Sequence, residues 1–186
     1  MNIDEARSKI DSIDEEIRVL IMERLNYSEQ IAHAKIESGN LNIFRADREE
    51  EILNHLGRDI PEERKAGYLA VVRKIMETSR MYQYGIIFDS LENLFEPLAE
   101  NINIKTTDQR VRVSLTRANR PNAMSSILSM IGDYGFNMDR MELIRQDEQY
   151  VTFELLIIGN LNDVKMQKLI FQLSRESQDF SIIYSY

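Results

Sequence analysis

Cysteine is absent from the 186 residues. That excludes a disulfide framework, thiolate nucleophiles and Cys-ligated zinc or iron–sulfur centres. The two histidines, His33 and His55, lack the spacing of metal ligands, so no metal site is expected. Long apolar runs are missing too. Stretches such as Ile86-Ile87-Phe88 and Leu155 to Ile158 fall far short of the roughly 18 residues that a membrane helix needs. The opening Met-Asn-Ile-Asp-Glu has no basic stretch followed by an apolar one, so no secretory signal is visible and a cytoplasmic location is expected. Basic charge is also scarce, with 23 Lys+Arg against 31 Asp+Glu. Nonspecific nucleic-acid binding needs clustered cations to release counterions and is not expected here.

The acidic excess is confined to one part of the chain. Residues 1–100 hold 13 Lys+Arg and 21 Asp+Glu, whereas residues 101–186 hold 10 of each. Composition shifts at the same place, from Glu, Ala, Arg and Leu to Val, Ile, Phe, Tyr, Ser and Asn. Two domains are therefore expected, 1–98 and 110–186, joined by a polar linker at 99–109.

In the first part, Ile3, Ala6, Ile10, Ile13, Ile17, Leu20, Ile21, Leu25, Ile31 and Ala34 recur at steps of three and four, which predicts one amphipathic helix from Ile3 to about Glu37. Neither Gly nor Pro interrupts it, Asp4 and Glu5 suit its first turn, and Gly39-Asn40 supplies a stop. At 1.5 Å per residue it is about 50 Å long, more than a small monomeric domain can cover. A second helix is predicted from Asp47 to Leu56. A third starts at Pro61 and runs through Tyr68, Leu69, Val72, Ile75 and Met76 toward Tyr82 and beyond. After residue 109 the apolar period changes from 3.6 to 2. Strands are predicted at 111–115, 138–145, 150–158 and 180–184, with helices at 122–134 and 163–176. The order βαββαβ suggests an antiparallel sheet with both helices on one face, a ferredoxin-like α+β domain.

Several cations in the acidic part are placed to act together. Arg24 and Lys35 are 11 residues apart, hence about 20° apart in azimuth and roughly 16 Å along the axis, an anion-sized gap on one helix face. Arg7 lies about 25 Å from Arg24 and is turned by roughly 100°. It cannot reach the same anion from the same chain, but an antiparallel partner's could. Ser79 and Gln83 form an i, i+4 pair on the third helix, and Arg48-Glu49 adds a donor and a carboxylate at the start of the second. Taken singly, each is an ordinary solvated side chain; only the joint pattern points to a site.

Arg7-Ser8-Lys9-Ile10-Asp11-Ser12-Ile13-Asp14, Arg24, Ala32-His33-Ala34-Lys35, Arg45-Ala46-Asp47-Arg48-Glu49-Glu50-Glu51 and Ser79-Arg80-Met81-Tyr82-Gln83 resemble, in order and spacing, the all-helical class of chorismate mutases over about residues 3–90. The resemblance implies an all-α three-helix fold in an intertwined dimer. It also implies a pocket for the small-molecule substrate chorismate formed by Arg7 of the partner subunit with Arg24, Lys35, Arg48, Glu49, Ser79 and Gln83. The reaction implied is the pericyclic rearrangement of chorismate to prephenate in phenylalanine and tyrosine biosynthesis, which needs no nucleophile, metal or redox cofactor. Arg45 departs from the family, some of whose members carry Asp there.

Arg120-Pro121-Asn122-Ala123-Met124, Phe136-Asn137-Met138, Met141-Glu142 and Tyr184-Ser185-Tyr186 resemble the ACT regulatory domain of bifunctional mutase-dehydratases, with the dehydratase domain itself absent. This implies an aromatic amino-acid effector near Asn122, Ala123, Met124 and Glu142, and tetramers formed through the ACT domains. The family usually has Gly in place of Asn122, and Glu-Ser-Arg-Pro in place of Glu142-Leu143-Ile144-Arg145. Two other functions fit the same residues. One is a noncatalytic amino-acid-sensing subunit of an aromatic-pathway enzyme, and the other is an isochorismate-pyruvate lyase.

Overall fold

Asn2 starts the first helix by a reciprocal cap: its side chain accepts from the Glu5 backbone N–H, and the Glu5 carboxylate accepts from the Asn2 N–H. The helix, α1 (Ile3–Ser38), ends at Gly39, whose φ of 69° is a left-handed stop that donates its N–H to the Ile36 carbonyl. These observations belong to a computed structural model that describes residues 2–186. α1 is followed by α2 (Ala46–Leu56) and α3 (Glu62–Ser90). The three predicted helices are thus present, and α3 passes Gly85 without a break.

The chain divides into two compact units, Met1–Ile87 and Phe88–Tyr186. In the first, α1 buries only Ser28 and Ala32, while α3 buries Val72, Met76, Ser79, Arg80, Gln83, Tyr84 and Ile87. The N-terminal two-thirds of α1 lies open. Ile10, Ile13, Ile17 and Leu20 keep between 44% and 63% of their surface exposed, although their spacing is that of a helix face made for burial.

The second unit begins earlier than the sequence implies. Its core takes in Phe95, with Phe88, Leu98, Ala99, Ile102 and Ile104 packed against it, and Asp108 is buried, accepting from the Lys105 N–H. The expected linker at 99–109 is therefore part of the unit for much of its length. Its polar composition hides the apolar residues, Ile102 and Ile104, that anchor it.

After a single turn, α4 (Glu96–Ala99), come β1 (Arg110–Ala118), α5 (Ala123–Asp133), β2 (Asn137–Gln146), β3 (Tyr150–Ile158), α6 (Val164–Arg175) and β4 (Asp179–Ser185). The sheet order is β2-β3-β1-β4 and every pairing is antiparallel. Alternate residues of β1 and β3, namely Val111, Val113, Leu115, Val151, Phe153, Leu155 and Ile157, share one core with Ile127, Met130 and Ile131 of α5 and Met166, Leu169, Ile170 and Leu173 of α6. Both helices thus cover the same face, as the period-2 pattern predicts. Polar contacts fix α6 in place: Tyr134 donates to Gln172, Gln172 to Glu176, and the buried Glu176 pairs with Arg117 of β1 at 3.4 Å. Breaking one partner of such a buried pair costs far more than the pair itself contributes.

Candidate active site

The site lies in the first unit, where α1, α2 and α3 meet. Arg24 of α1 donates through one terminal nitrogen to the Ser79 hydroxyl, and the same nitrogen lies 3.4 Å from the Ile75 carbonyl. One turn further along α3, the buried Gln83 donates its amide to the Ser79 carbonyl at 3.2 Å. Desolvation against α3 lowers the Arg24 guanidinium from its ordinary pKa, and the Glu49 carboxylate acts in the opposite sense. Glu49 of α2 therefore lies within electrostatic reach of Arg24. Four of the seven candidate residues, Arg24, Glu49, Ser79 and Gln83, are brought together.

The other three are placed differently. The Lys35 ammonium donates to the Asn42 carbonyl in the α1–α2 loop at 2.6 Å. Arg48 pairs with Glu51 at 2.9 Å on the outer side of α2, where both side chains are exposed. Arg7 is 3.6 Å from Asp4 near the start of α1, with its side chain 73% exposed. Arg45 turns to Asp47, whose carboxyl is held down to about 2 by that hydrogen bond and by the Arg48 N–H. Arg45 is thus engaged in the first turn of α2.

Sequence reasoning missed Arg80. It is 7% exposed, forms an ion pair with Glu49 and lies over the Phe44 ring at 4.9 Å. A signal was available, since Arg80 stands between Met76 and Tyr84 in an i, i+4 row whose other members are buried. A charge in such a row needs a partner.

Residues 6–84, which hold all seven candidates, match the family described as chorismate mutase type II. The helical unit is thus similar to that family over less than half of the chain. No curated protein matches the chain. Among solved structures, it is similar to one titled "GqqA- a novel type of quorum quenching acylases", at 19% identity and a TM-score of 0.41, over 45% of this chain. The chain spans 44% of that protein's length, and a likeness so slight carries no argument about function.

The expected effector residues of the second unit stand on two elements, the start of α5 and β2. Asn122 has a φ of 70° and precedes the first turn of α5, where Ala123 and the half-exposed Met124 follow. Glycine adopts this left-handed conformation most readily, and Asn is among the side chains that tolerate it best. Glu142, on β2, is instead held by Arg140 at 2.5 Å and lies 3.7 Å from Arg112. Among the described residues, no hydrogen bond or ion pair joins it to Asn122, Ala123 or Met124.

No helix of the described residues is long and apolar enough to cross a membrane. Nor does any group of three or more His, Asp or Glu among them form a metal-binding cluster.

Proposed function

We propose that the mutase unit converts chorismate to prephenate in the biosynthesis of phenylalanine and tyrosine, in a pocket completed by a second copy of the chain. The observation that carries this reading is the convergence of Arg24, Ser79, Gln83 and Glu49 inside the span that matches the family. The substrate is a dicarboxylate whose ring must be held in its compact reactive conformer. Arg24 and the partner's Arg7 grip the carboxylates by forked hydrogen bonds. As the C–O bond breaks, negative charge grows on the ether oxygen, where Lys35 and Gln83 donate. Glu49 accepts from the ring hydroxyl, and Arg48 and Ser79 complete the polar wall. The chain's net charge of −8 repels such an anion at long range, so these few cations must act locally.

The test is loss of chorismate followed by ultraviolet absorbance, with prephenate identified as product. Formation of salicylate and pyruvate from isochorismate would instead favour the lyase, and no turnover of either would favour the noncatalytic subunit. Because the Gln83 amide donates without titrating, activity is expected to need no acidic medium. A sharp optimum near pH 5 would remove Gln83 from this role.

The open face of α1 supports the dimer. Ile13→Glu combined with Ile17→Glu puts charge where a second α1 would pack. The variant is expected to sediment as a monomer and to lose nearly all turnover, because the partner's Arg7 goes with the partner. A dimeric, fully active double variant would show that another surface joins the copies.

We infer that the second unit is a ferredoxin-like ACT regulatory domain. Its strand order β2-β3-β1-β4 within βαββαβ supports this, as does the left-handed Asn122. An aromatic amino acid is its expected effector, and pairing of these units would join dimers into tetramers. The chorismate assay repeated with each aromatic amino acid reads out the effector.

A further inference from the structure

Glu49 poses an electrostatic problem for the proposed site, on which this inference rests. A pocket that gathers cations for a dicarboxylate gains nothing from an uncompensated carboxylate within reach of Arg24. At a few ångströms, two like charges in a partly desolvated site repel far more strongly than they would in water. Glu49 is also partly buried, its side chain 25% exposed, which penalises its charge further.

Arg80 answers both difficulties. Its guanidinium, on α3, pairs with Glu49 Oε1 on α2. Its opposite surroundings are apolar: it lies 4.9 Å from the centroid of the Phe44 ring in the α1–α2 loop and shares its helix row with Met76 and Tyr84. A guanidinium that lies over a ring and donates to a carboxylate has few orientations left. It follows Ser79 directly in sequence and precedes Gln83 by three residues, so the helix that presents the site's hydroxyl and amide also carries this clamp. A carboxylate offers about four acceptor positions, so pairing at Oε1 does not exhaust its capacity for a substrate hydroxyl.

We propose that Arg80 is a positioning residue of the mutase site: pinned by Phe44, it fixes the Glu49 carboxylate for the substrate's ring hydroxyl and cancels its charge toward the dianion. Arg80 does not itself touch the substrate. The ring hydroxyl takes no part in bond making or breaking, so Glu49 binds the ground state and the transition state alike, and losing its placement raises KM more than it lowers kcat.

The experiment is a double-mutant cycle on the full chain with chorismate, using Arg80→Gln, Glu49→Gln and the pair, with Arg80→Lys as a charge-retaining variant. Arg80→Gln is expected to lower kcat/KM by about 10-fold to 10²-fold, the scale of a misplaced group beside a reacting centre, mostly through KM. Arg80→Lys should recover part of the loss. The double variant should be no worse than Glu49→Gln alone, because Arg80 acts through Glu49. Additive losses, or an Arg80→Gln enzyme with the wild-type kcat/KM, would overturn the proposal. If Arg80→Gln fails to fold, the lysine variant against Glu49→Gln carries the same comparison. Absence of chorismate turnover in the unsubstituted chain is a separate result, which overturns the assigned reaction. The same cycle followed by thermal unfolding then still reports whether Arg80 and Glu49 are coupled.

Discussion

Lys35→Ala lowers kcat by about 10² or more, because one preorganised donor at a developing oxyanion is worth roughly 2.7 to 4 kcal/mol. Lys35 stands on α1 about three turns beyond Arg24 and nearly in line with it, so a dicarboxylate gripped at Arg24 has its ether oxygen toward Lys35. In the free chain the ammonium donates to the Asn42 carbonyl at 2.6 Å. With three N–H donors it can keep that contact and turn another donor to the substrate. The Asn42 contact thus orients the group before substrate arrives. Charge on the ether oxygen appears only as the bond breaks, so kcat and kcat/KM should fall together. Alanine also removes the tie to the loop, and an unfolding midpoint close to wild type would separate that structural effect from the chemical one. Near-normal turnover in the variant would take Lys35 out of the mechanism.

What could be read from the sequence depended on whether the signal was periodic. The α1 pattern runs unbroken for ten turns, and the length of the helix follows from spacing alone. The same spacing leaves a row of isoleucines facing outward in the structure. The switch to period 2 likewise located β1 and β3, since each buries one residue in two against α5 and α6. The division between units was harder to read. The stretch 99–109 looks polar on average, and its place in the second unit depends on Ile102 and Ile104 in irregular backbone, where no period exists to follow. Within the site, helix geometry aligned Arg24 with Lys35 and Ser79 with Gln83, yet rotamers are not written in spacing. That Arg48 turns to Glu51 and Lys35 to Asn42 depends on loop and capping geometry. Arg80 escaped because a charged letter in a helix reads as solvated until its burial is known.

Arg7→Ala and Lys35→Ala, each nearly inactive as a homodimer, regain about a quarter of wild-type activity when unfolded together and reassembled. The figure follows from symmetry. Random pairing makes half of the dimers mixed. In a mixed dimer, the pocket on the Arg7→Ala chain has its own Lys35 and receives an intact Arg7 from the partner, while the other pocket lacks both. One site in two works in half of the molecules. The prediction rests on the separation along α1, with Arg7 exposed beside Asp4 at one end and Arg24 bound to Ser79 more than four turns away. If Arg7 instead folded back into its own chain's pocket, every pocket in every dimer would lack one cation, and mixing would restore nothing.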